Sequence, residues 1–170
     1  WDENKKIAIA ARDKFGIKPL YYTEKNNYFS CASECNALIK AELVSKEISK
    51  EGLDSFLAYG SVQSPLTIYK NIKSLLPGHA IIINSSGKLI ENIDLWETSH
   101  LEKNYENLHE IMSNTIENYY FADVPVGIFL SGGFDSTLLA FLANNISKNR
   151  ITTFNLKFSE FPEFSEHKRV

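Results

Sequence analysis

Two adjacent glycines separate a short apolar run from a helical pattern late in the chain. Residues 126–130 (Val-Gly-Ile-Phe-Leu) are typical of a strand buried on both faces of a parallel sheet. The glycines lie in the sequence Ser-Gly-Gly-Phe-Asp-Ser at residues 131–136, and an apolar helix is predicted at about 137–146. Residues 151–158 are rich in β-forming side chains and predict the next strand. This order predicts one βαβ unit.

The segment between that strand and helix has the chemistry of an anion-binding site. The two glycines let the backbone approach a ligand, and their N–H groups form a cup for anionic oxygens with those of the first helical turn. Asp135 would repel a bare phosphate, so its carboxylate indicates a Mg²⁺ ion between itself and the phosphates. The sequence has no Gly-Lys-Ser/Thr ending, which a Walker A loop requires. The plain alternative is a tight turn without a ligand.

Strand patterns alternate with turns through the first hundred residues. Predicted strands lie at residues 7–11, 20–22, 28–31, 80–83 and 88–90. The second and third of these flank the polar turn 24–27 and predict a hairpin, while Asn-Ser-Ser-Gly at 84–87 turns the chain between the last two.

Two helices are predicted between these strands. The first begins after Ser33 as its N-cap and continues to about Leu43. The second covers residues 50–59, between Ser49 as its N-cap and Gly60 as its stop. Its predicted buried stripe consists of Leu53, Phe56 and Leu57.

A polar segment divides the chain into two parts. Residues 97–107 hold little to bury, so a linker and a domain boundary are predicted near residue 100. From about residue 105 to residue 120 apolar residues recur at helical spacing. The predicted apolar face consists of Leu108, Ile111, Met112, Ile116 and Tyr119.

Composition and charge restrict the class of protein. With 44% hydrophobic and 23% charged residues among 170, the chain is typical of a folded globular protein rather than a collagenous, coiled-coil or disordered one. The net charge of −3 argues against a nucleic-acid partner, and no apolar run approaches the roughly 20 residues that span a bilayer. Two cysteines are too few for a disulfide framework, which favours a reducing compartment, and we expect a cytoplasmic location.

Several stretches of this chain resemble known segments. Residues 131–136 match the Ser-Gly-Gly-x-Asp-Ser pyrophosphate loop of the ATP-pyrophosphatases. Residues 11–22 (Ala-Arg-Asp-Lys-Phe-Gly-Ile-Lys-Pro-Leu-Tyr-Tyr), with Ala-Ser-Glu at 32–34, resemble a class II glutaminase domain, and residues 72–79 resemble a segment near its end. Together with Asp-Val-Pro-Val-Gly-Ile-Phe-Leu at 123–130, these stretches are similar to the glutamine-hydrolysing asparagine synthetase family, in family order over nearly the whole chain.

The resemblance implies an α+β part followed by an α/β part. Residues 1–100 would be the C-terminal half of an N-terminal-nucleophile glutaminase sandwich. Residues 101–170 would be the N-terminal part of the synthetase (ATP-pyrophosphatase) domain, with the first βαβ unit of an adenine-nucleotide α-hydrolase-like (PP-loop) parallel sheet. Such ligases release ammonia from glutamine, adenylate the aspartate side chain with ATP and Mg²⁺, and form asparagine with release of AMP and pyrophosphate.

The resemblance also implies site residues by position. The residues expected to bind ATP or pyrophosphate are Leu130, Ser131, Gly132, Gly133, Asp135, Ser136 and Leu156. Asp135 would bind Mg²⁺ through the pyrophosphate, while Leu130 and Leu156 would border the adenosine. A leucine in a strand is more often part of the core, so that role stays open for Leu156.

The catalytic residues of the glutaminase reaction are expected outside this chain. The family nucleophile is an N-terminal cysteine that acts through its own α-amine, whereas position 1 here is Trp. We therefore expect a fragment that has no catalytic residue and is inactive alone, with the rest of the synthetase site after Val170. Structural or surface roles are expected for Cys31, Cys35, His79, His100, His109 and His167.

Charged residues in the first part of the chain have structural explanations. Arg12 and Asp13 are expected to form an ion pair that stabilises a turn. Glu34 either faces a domain interface or channel, or complements the N-terminus of a helix.

Three hypotheses stay open. The first is a fragment of a glutamine-hydrolysing asparagine synthetase, with aspartate, glutamine and ATP as substrates, and with no nucleic-acid or membrane partner. The second is a related amidotransferase that uses another carboxylate acceptor. The third is a non-catalytic remnant or interaction module of the same fold. Assembly into a homodimer is left open.

Overall fold

The computed structural model describes residues 1–25, 28–96, 107–120, 122–147, 150–161 and 165–166. The chain divides into two compact units, Trp1–His100 and Leu101–Val170. Apart from residue 107, the predicted linker lies outside the described residues. No helix in the described ranges is long and apolar enough to cross a membrane.

The first unit contains two small antiparallel sheets. Its elements in chain order are β1 (Ile7–Ala11), β2 (Tyr21–Lys25), β3 (Tyr28–Ala32), α1 (Cys35–Lys40), α2 (Lys50–Tyr59), β4 (Lys73–Ser74), β5 (His79–Asn84) and β6 (Leu89–Asp94). One sheet has the order β1-β5-β6 and the other β3-β2-β4. All five predicted strands of this unit are confirmed, and the predicted hairpin is β2 and β3. Its turn residues 26 and 27 lie outside the described residues.

Apolar side chains from both sheets meet in one cluster. Leu75, Ile81 and Ile83 are buried at its centre. The side chains that pack around them are Ala8, Ala10, Leu20, Tyr22, Phe29 and Leu89. A second cluster consists of Leu38, Ile39, Val44 and Ile72. Since each fully buried aliphatic side chain contributes about 1.5–3 kcal/mol, these clusters are the main source of stability in the unit.

Helix α1 is shorter than predicted. Its N-cap is Glu34 rather than Ser33, and the Glu34 side chain makes no capping hydrogen bond. The helix ends in a Schellman motif, in which the N–H of Glu42 donates to the carbonyl of Ile39 and that of Leu43 to the carbonyl of Leu38. The left-handed φ of +58° at Glu42 stops the helix, so the prediction that it continues to Leu43 is wrong.

Helix α2 has the predicted ends but not the predicted buried face. The Ser49 hydroxyl accepts from the N–H of Gly52 at 3.1 Å, and Gly60 ends the helix with a φ of +72°. The predicted buried stripe is wrong, because Leu53, Phe56 and Leu57 are 41%, 49% and 73% exposed. The buried residue is instead Gly52, where the backbone of Thr67 crosses the helix.

The second unit contains the predicted βαβ unit after a helix. Its elements are α3 (Leu108–Tyr120), β7 (Gly127–Phe129), α4 (Phe134–Ile146) and β8 (Thr152–Phe154). Strands β7 and β8 are parallel neighbours, as predicted. Helix α4 begins three residues earlier than predicted, and β8 covers three of the eight predicted strand residues. The described chain is therefore a mixed α/β structure with small sheets.

The core of the second unit lies on one side of its sheet. Ile116 of α3, Ile128 of β7, and Leu142 and Ala143 of α4 are buried together. Because side chains alternate across a strand, Phe129 points to the opposite face, where it is 74% exposed. The prediction of a strand buried on both faces is therefore wrong. Likewise, the predicted apolar face of α3 is buried only in part, since three of its members are more than half exposed: Leu108, Ile111 and Tyr119.

Candidate functional site

The segment at residues 131–136, here called the glycine loop, begins two residues after the end of β7 and runs into α4. Gly132 has a φ of +73°, a backbone conformation that side chains with a Cβ rarely adopt. Gly133 is extended, with φ −77° and ψ 163°, and it is the N-cap of α4. Phe134 starts the helix and is 81% exposed. The loop therefore turns the chain sharply from a strand end into a helix.

Two serines hold the ends of the glycine loop together. The Oγ atoms of Ser131 and Ser136 are 3.0 Å apart, and the N–H of Ser131 donates to Ser136 Oγ at 3.3 Å. The Ser136 hydroxyl also donates to the carbonyl of Gly133 at 3.2 Å. Each of these bonds spans at most five residues, so they hold the two ends of the loop together locally.

Several backbone amides of the glycine loop are left as donors. The N–H groups of Gly132, Phe134, Asp135 and Ser136 donate to no acceptor in the described part of the chain. Three of these begin α4, whose 13 residues add a partial positive charge at that end. Several unengaged donors in one short turn suit a ligand with multiple anionic oxygens, such as pyrophosphate.

The carboxylate of Asp135 lies in the first turn of α4. It is exposed and has no hydrogen bond or ion pair within the described ranges. With Met112 and Leu138 it lines a groove of about 350 Å³ between α3 and α4. No three potential metal-ligand side chains group together among the described residues. A single free carboxylate fits Mg²⁺ only when phosphate oxygens and water complete the coordination.

The two leucines predicted to border the adenosine lie just past the strand ends. Leu130 is half-buried, and its N–H donates to the carbonyl of Phe154 at 2.8 Å. Leu156 lies two residues after β8 and is 62% exposed in the described structure. Both therefore lie at the carboxyl edge of the sheet, where open α/β sheets bind ligands.

Asn155 was not predicted as a site residue, yet it contacts the residue before the glycine loop. Its side-chain amide donates to the carbonyl of Leu130 at 2.7 Å. The sequence pattern held no signal for this contact, because Asn155 falls inside the predicted strand at residues 151–158.

The other nucleophile and base candidates do not form a site in the described structure. Cys31 is exposed and Cys35 half-buried, and both are free thiols. Burial raises the pKa of the Cys35 thiol, which disfavours the reactive thiolate. His79 contacts the carbonyl of Pro77 through Nδ1. Of the others, His109 is exposed, and His100 and His167 lie outside the described residues.

The predicted ion pair between Arg12 and Asp13 is wrong, although both residues stabilise the turn. The Arg12 guanidinium donates instead to the carbonyls of Gly16, Lys18 and Leu75 and to the hydroxyl of Ser74. The Asp13 carboxylate accepts from the N–H groups of residues 17 and 18 at 2.9 Å each. Neighbouring opposite charges satisfy backbone groups here rather than each other. Glu34 is exposed at the N-terminus of α1.

Asp13 should make the stability of the first unit depend on pH. The N–H groups of Lys18 and Ile17 hold the pKa of the Asp13 carboxyl below its ordinary value of 3.8. A depressed pKa contributes stability above the unfolded value, and this is lost as pH falls through the folded one. We expect Asp13→Asn to flatten the decline of the unfolding temperature below about pH 4. Parallel pH profiles of the two proteins in thermal denaturation would contradict this role.

Two family models match successive parts of the chain. The model described as glutamine amidotransferase domain matches residues 1–93. The model described as asparagine synthase matches residues 107–170, which include the glycine loop. The two matches fall in the first and second compact units respectively.

Similar proteins include enzymes with two kinds of name. Glutamine-hydrolysing asparagine synthetases 3 and 1 of Bacillus subtilis (strain 168) are 27% and 31% identical. Each alignment covers 94% of this chain, but only 28% and 26% of the relative. Amidase chry2 of Gibberella zeae is 28% identical over 87% of this chain and 23% of its own length. The chain thus spans about a quarter of the length of these relatives.

Proposed function

The chain belongs to the glutamine amidotransferase domain family, whose match covers more than half of it, and we propose that it is part of a glutamine-hydrolysing asparagine synthetase. In this proposal residues 1–100 are the C-terminal half of a glutaminase domain. Residues 101–170 are the N-terminal part of a PP-loop synthetase domain. The similarity to two synthetases of Bacillus subtilis along nearly the whole chain supports this assignment.

The proposed reaction activates a carboxylate and then amidates it. The aspartate side-chain carboxylate attacks the α-phosphorus of ATP, the bond to the bridging oxygen breaks, and pyrophosphate leaves. Ammonia from glutamine then attacks the acyl-adenylate and expels AMP, which gives asparagine. The step with the largest build-up of negative charge is the departure of pyrophosphate, and preorganised donors are the means by which a protein stabilises such charge.

The observation that carries the proposal is the set of unengaged amides in the glycine loop. Gly132 and the first three residues of α4 present N–H groups that have no acceptor in the described structure. In the proposal these groups bind the oxygens of the leaving pyrophosphate, together with the hydroxyls of Ser131 and Ser136. Leu130 and Leu156 border the adenosine at the carboxyl edge of the two strands.

Asp135 is proposed to bind Mg²⁺ through the pyrophosphate. The metal would neutralise charge that the amides alone leave uncompensated. The carboxylate has no competing partner in the described structure and lies in the same helical turn as three of the unengaged amides, including that of Asp135 itself. We assign no catalytic residue of the glutaminase reaction to any position of this chain.

Pyrophosphate binding to the chain should depend on Mg²⁺ through Asp135. By calorimetric titration, we expect Mg²⁺ to strengthen the binding of inorganic pyrophosphate, and Asp135→Asn to weaken the Mg²⁺-dependent binding about tenfold. The substitution keeps the shape of the side chain and removes the charge that holds the metal.

Asp123→Asn is the matched control, because Asp123 is an exposed carboxylate on the other side of β7 in sequence. It should leave the affinity for pyrophosphate unchanged. If both variants lost affinity for pyrophosphate equally, the effect of Asp135→Asn would be due to the change in net charge and not to a metal-binding role of Asp135. No detectable binding by the unsubstituted chain would overturn the proposed loop function.

The names of the relatives do not agree on the reaction, and so leave open which carboxylate is amidated. Two similar proteins are called amidases, of which one is chyE of Penicillium rubens, 29% identical over 82% of this chain. Formation of asparagine from aspartate, compared with amidation of other carboxylates, separates the two functions. A cytoplasmic location is part of the same proposal, supported by the two free thiols.

A further inference from the structure

We propose that Asn155 is a positioning residue that fixes the orientation of the glycine loop. The inference rests on the proposed function of that loop for its effect on ligand binding. Asn155 lies directly after β8, and its Nδ2 donates to the carbonyl of Leu130 at 2.7 Å. This bond connects residues 25 positions apart, whereas the serine bonds of the loop are local.

The side chain of Asn155 takes the place of a missing bond in the ladder between β7 and β8. The last strand pair is Phe129 with Phe154, and the N–H of Leu130 then donates to the carbonyl of Phe154 at 2.8 Å. In a regular parallel ladder the carbonyl of Leu130 would next accept from the N–H of Leu156. Asn155 supplies this donor from its side chain instead. The chain after β8 can therefore leave the sheet while Leu130 stays held.

The carbonyl of Leu130, which Asn155 binds, is part of the peptide group that leads into the glycine loop. The carbonyl of Leu130 and the N–H of Ser131 lie in one planar peptide group. Asn155 binds the carbonyl side of this plane, and Ser136 Oγ accepts from the N–H side at 3.3 Å. Fixing both sides sets the rotation of the peptide plane. The direction of the chain into Gly132 follows from that rotation.

The competing explanation is that the hydrogen bond of Asn155 stabilises the whole unit rather than orienting the loop. The exposure of Asn155 distinguishes the two explanations. Asn155 is exposed, so water can bond to the carbonyl of Leu130 when the Asn155 side chain is replaced. Exposed neutral hydrogen bonds contribute little to the free energy of unfolding. Loss of this bond should therefore disturb the glycine loop more than the stability of the unit.

Asn155→Leu tests the proposal, because leucine has a similar size and neither donor nor charge. The probes are inorganic pyrophosphate with Mg²⁺, and the amide resonances of Ser131, Gly132 and Gly133 in the free chain. We expect those resonances to shift and pyrophosphate affinity to fall about fivefold, the effect of one hydrogen bond. The thermal midpoint should be unchanged. Asn144→Leu, at an exposed position of α4, is the matched control and should change neither measurement.

Unchanged loop resonances in Asn155→Leu would overturn the proposal. So would a fall in thermal stability with pyrophosphate affinity preserved, which is the result of a purely structural role. If the unsubstituted chain binds no pyrophosphate, the proposed function fails, but the amide resonances of the free chain still decide whether Asn155 positions the loop. Should the leucine variant not fold, Asn155→Ala removes the same donor without adding bulk, and the same outcomes decide.

Discussion

Gly52→Ala is expected to lower the free energy of unfolding of the first unit by about 3 kcal/mol, the upper end of what overpacking costs. A Cβ atom at this position would lie 2.2 Å from the carbonyl oxygen of Thr67 and 3.0 Å from its carbonyl carbon. These are backbone atoms, so no side-chain rotation can relieve the overlap. Helix propensity alone predicts the opposite sign, a gain of about 1 kcal/mol for alanine over glycine. Chemical denaturation of the two proteins measures the difference.

The control for this substitution is Asp54→Ala in the same helix. Asp54 is exposed, and no hydrogen bond or ion pair involves it in the described structure, so its replacement should change the unfolding free energy little. If Gly52→Ala instead stabilises the protein, the close crossing of Thr67 over α2 is wrong.

Arg12→Leu is expected to cost a similar amount, about 3 kcal/mol, because it removes the charged donor of four hydrogen bonds. Its guanidinium donates to the carbonyl of Leu75 at 2.7 Å, to that of Gly16 at 2.8 Å and to that of Lys18 at 3.0 Å. The last two belong to the turn after β1, and Leu75 follows β4. Arg12 therefore binds two segments that no regular ladder joins. Denaturation followed by the fluorescence of Trp96 is a suitable measurement.

Arg12→Lys separates geometry from charge. An ammonium group keeps the positive charge but cannot reproduce the planar fork of donors, so it should recover less than half of the lost stability. Lys46→Leu, at an exposed position with no hydrogen bond or ion pair in the described residues, is the control for loss of a surface cation. Full recovery in the lysine variant would show that charge, and not the fork, is what the turn needs.

The sequence correctly predicted those features of the fold that depend on interactions between residues close together in the chain. Ser49 and Gly60 bound α2 as predicted, because a hydroxyl that accepts from an N–H and a residue that allows positive φ act within one turn of the helix. The glycine loop was located between a strand and a helix for the same reason. The strands were also predicted, because alternating or continuous apolar residues can be recognised within a short stretch of sequence.

Burial and partner choice depend on distant segments, and there the predictions were wrong. The apolar residues of α2 are exposed because the contact side of the helix was set by the crossing of residues 67 and 68 at Gly52. Arg12 donates to the carbonyl of Leu75, more than sixty residues away, instead of pairing with the acid beside it. The Asn155 side chain replaces a backbone donor in the pairing of β7 with β8, and this can be recognised only once the register of the two strands is known. Composition and periodicity carry no information on such pairings.

The separation between paired segments has a kinetic consequence. Strand β1 pairs with β5 across a loop of about 70 residues, as in the pair Ile9 with Ile82. The glycine loop closes through bonds between Ser131 and Ser136, and β7 meets β8 across a single helix. Because closing a long loop costs entropy before any contact repays it, distant pairings form slowly and local ones fast. We therefore expect the turn proposed to bind the nucleotide to form early in folding, and the pairing of β1 with β5 to form late.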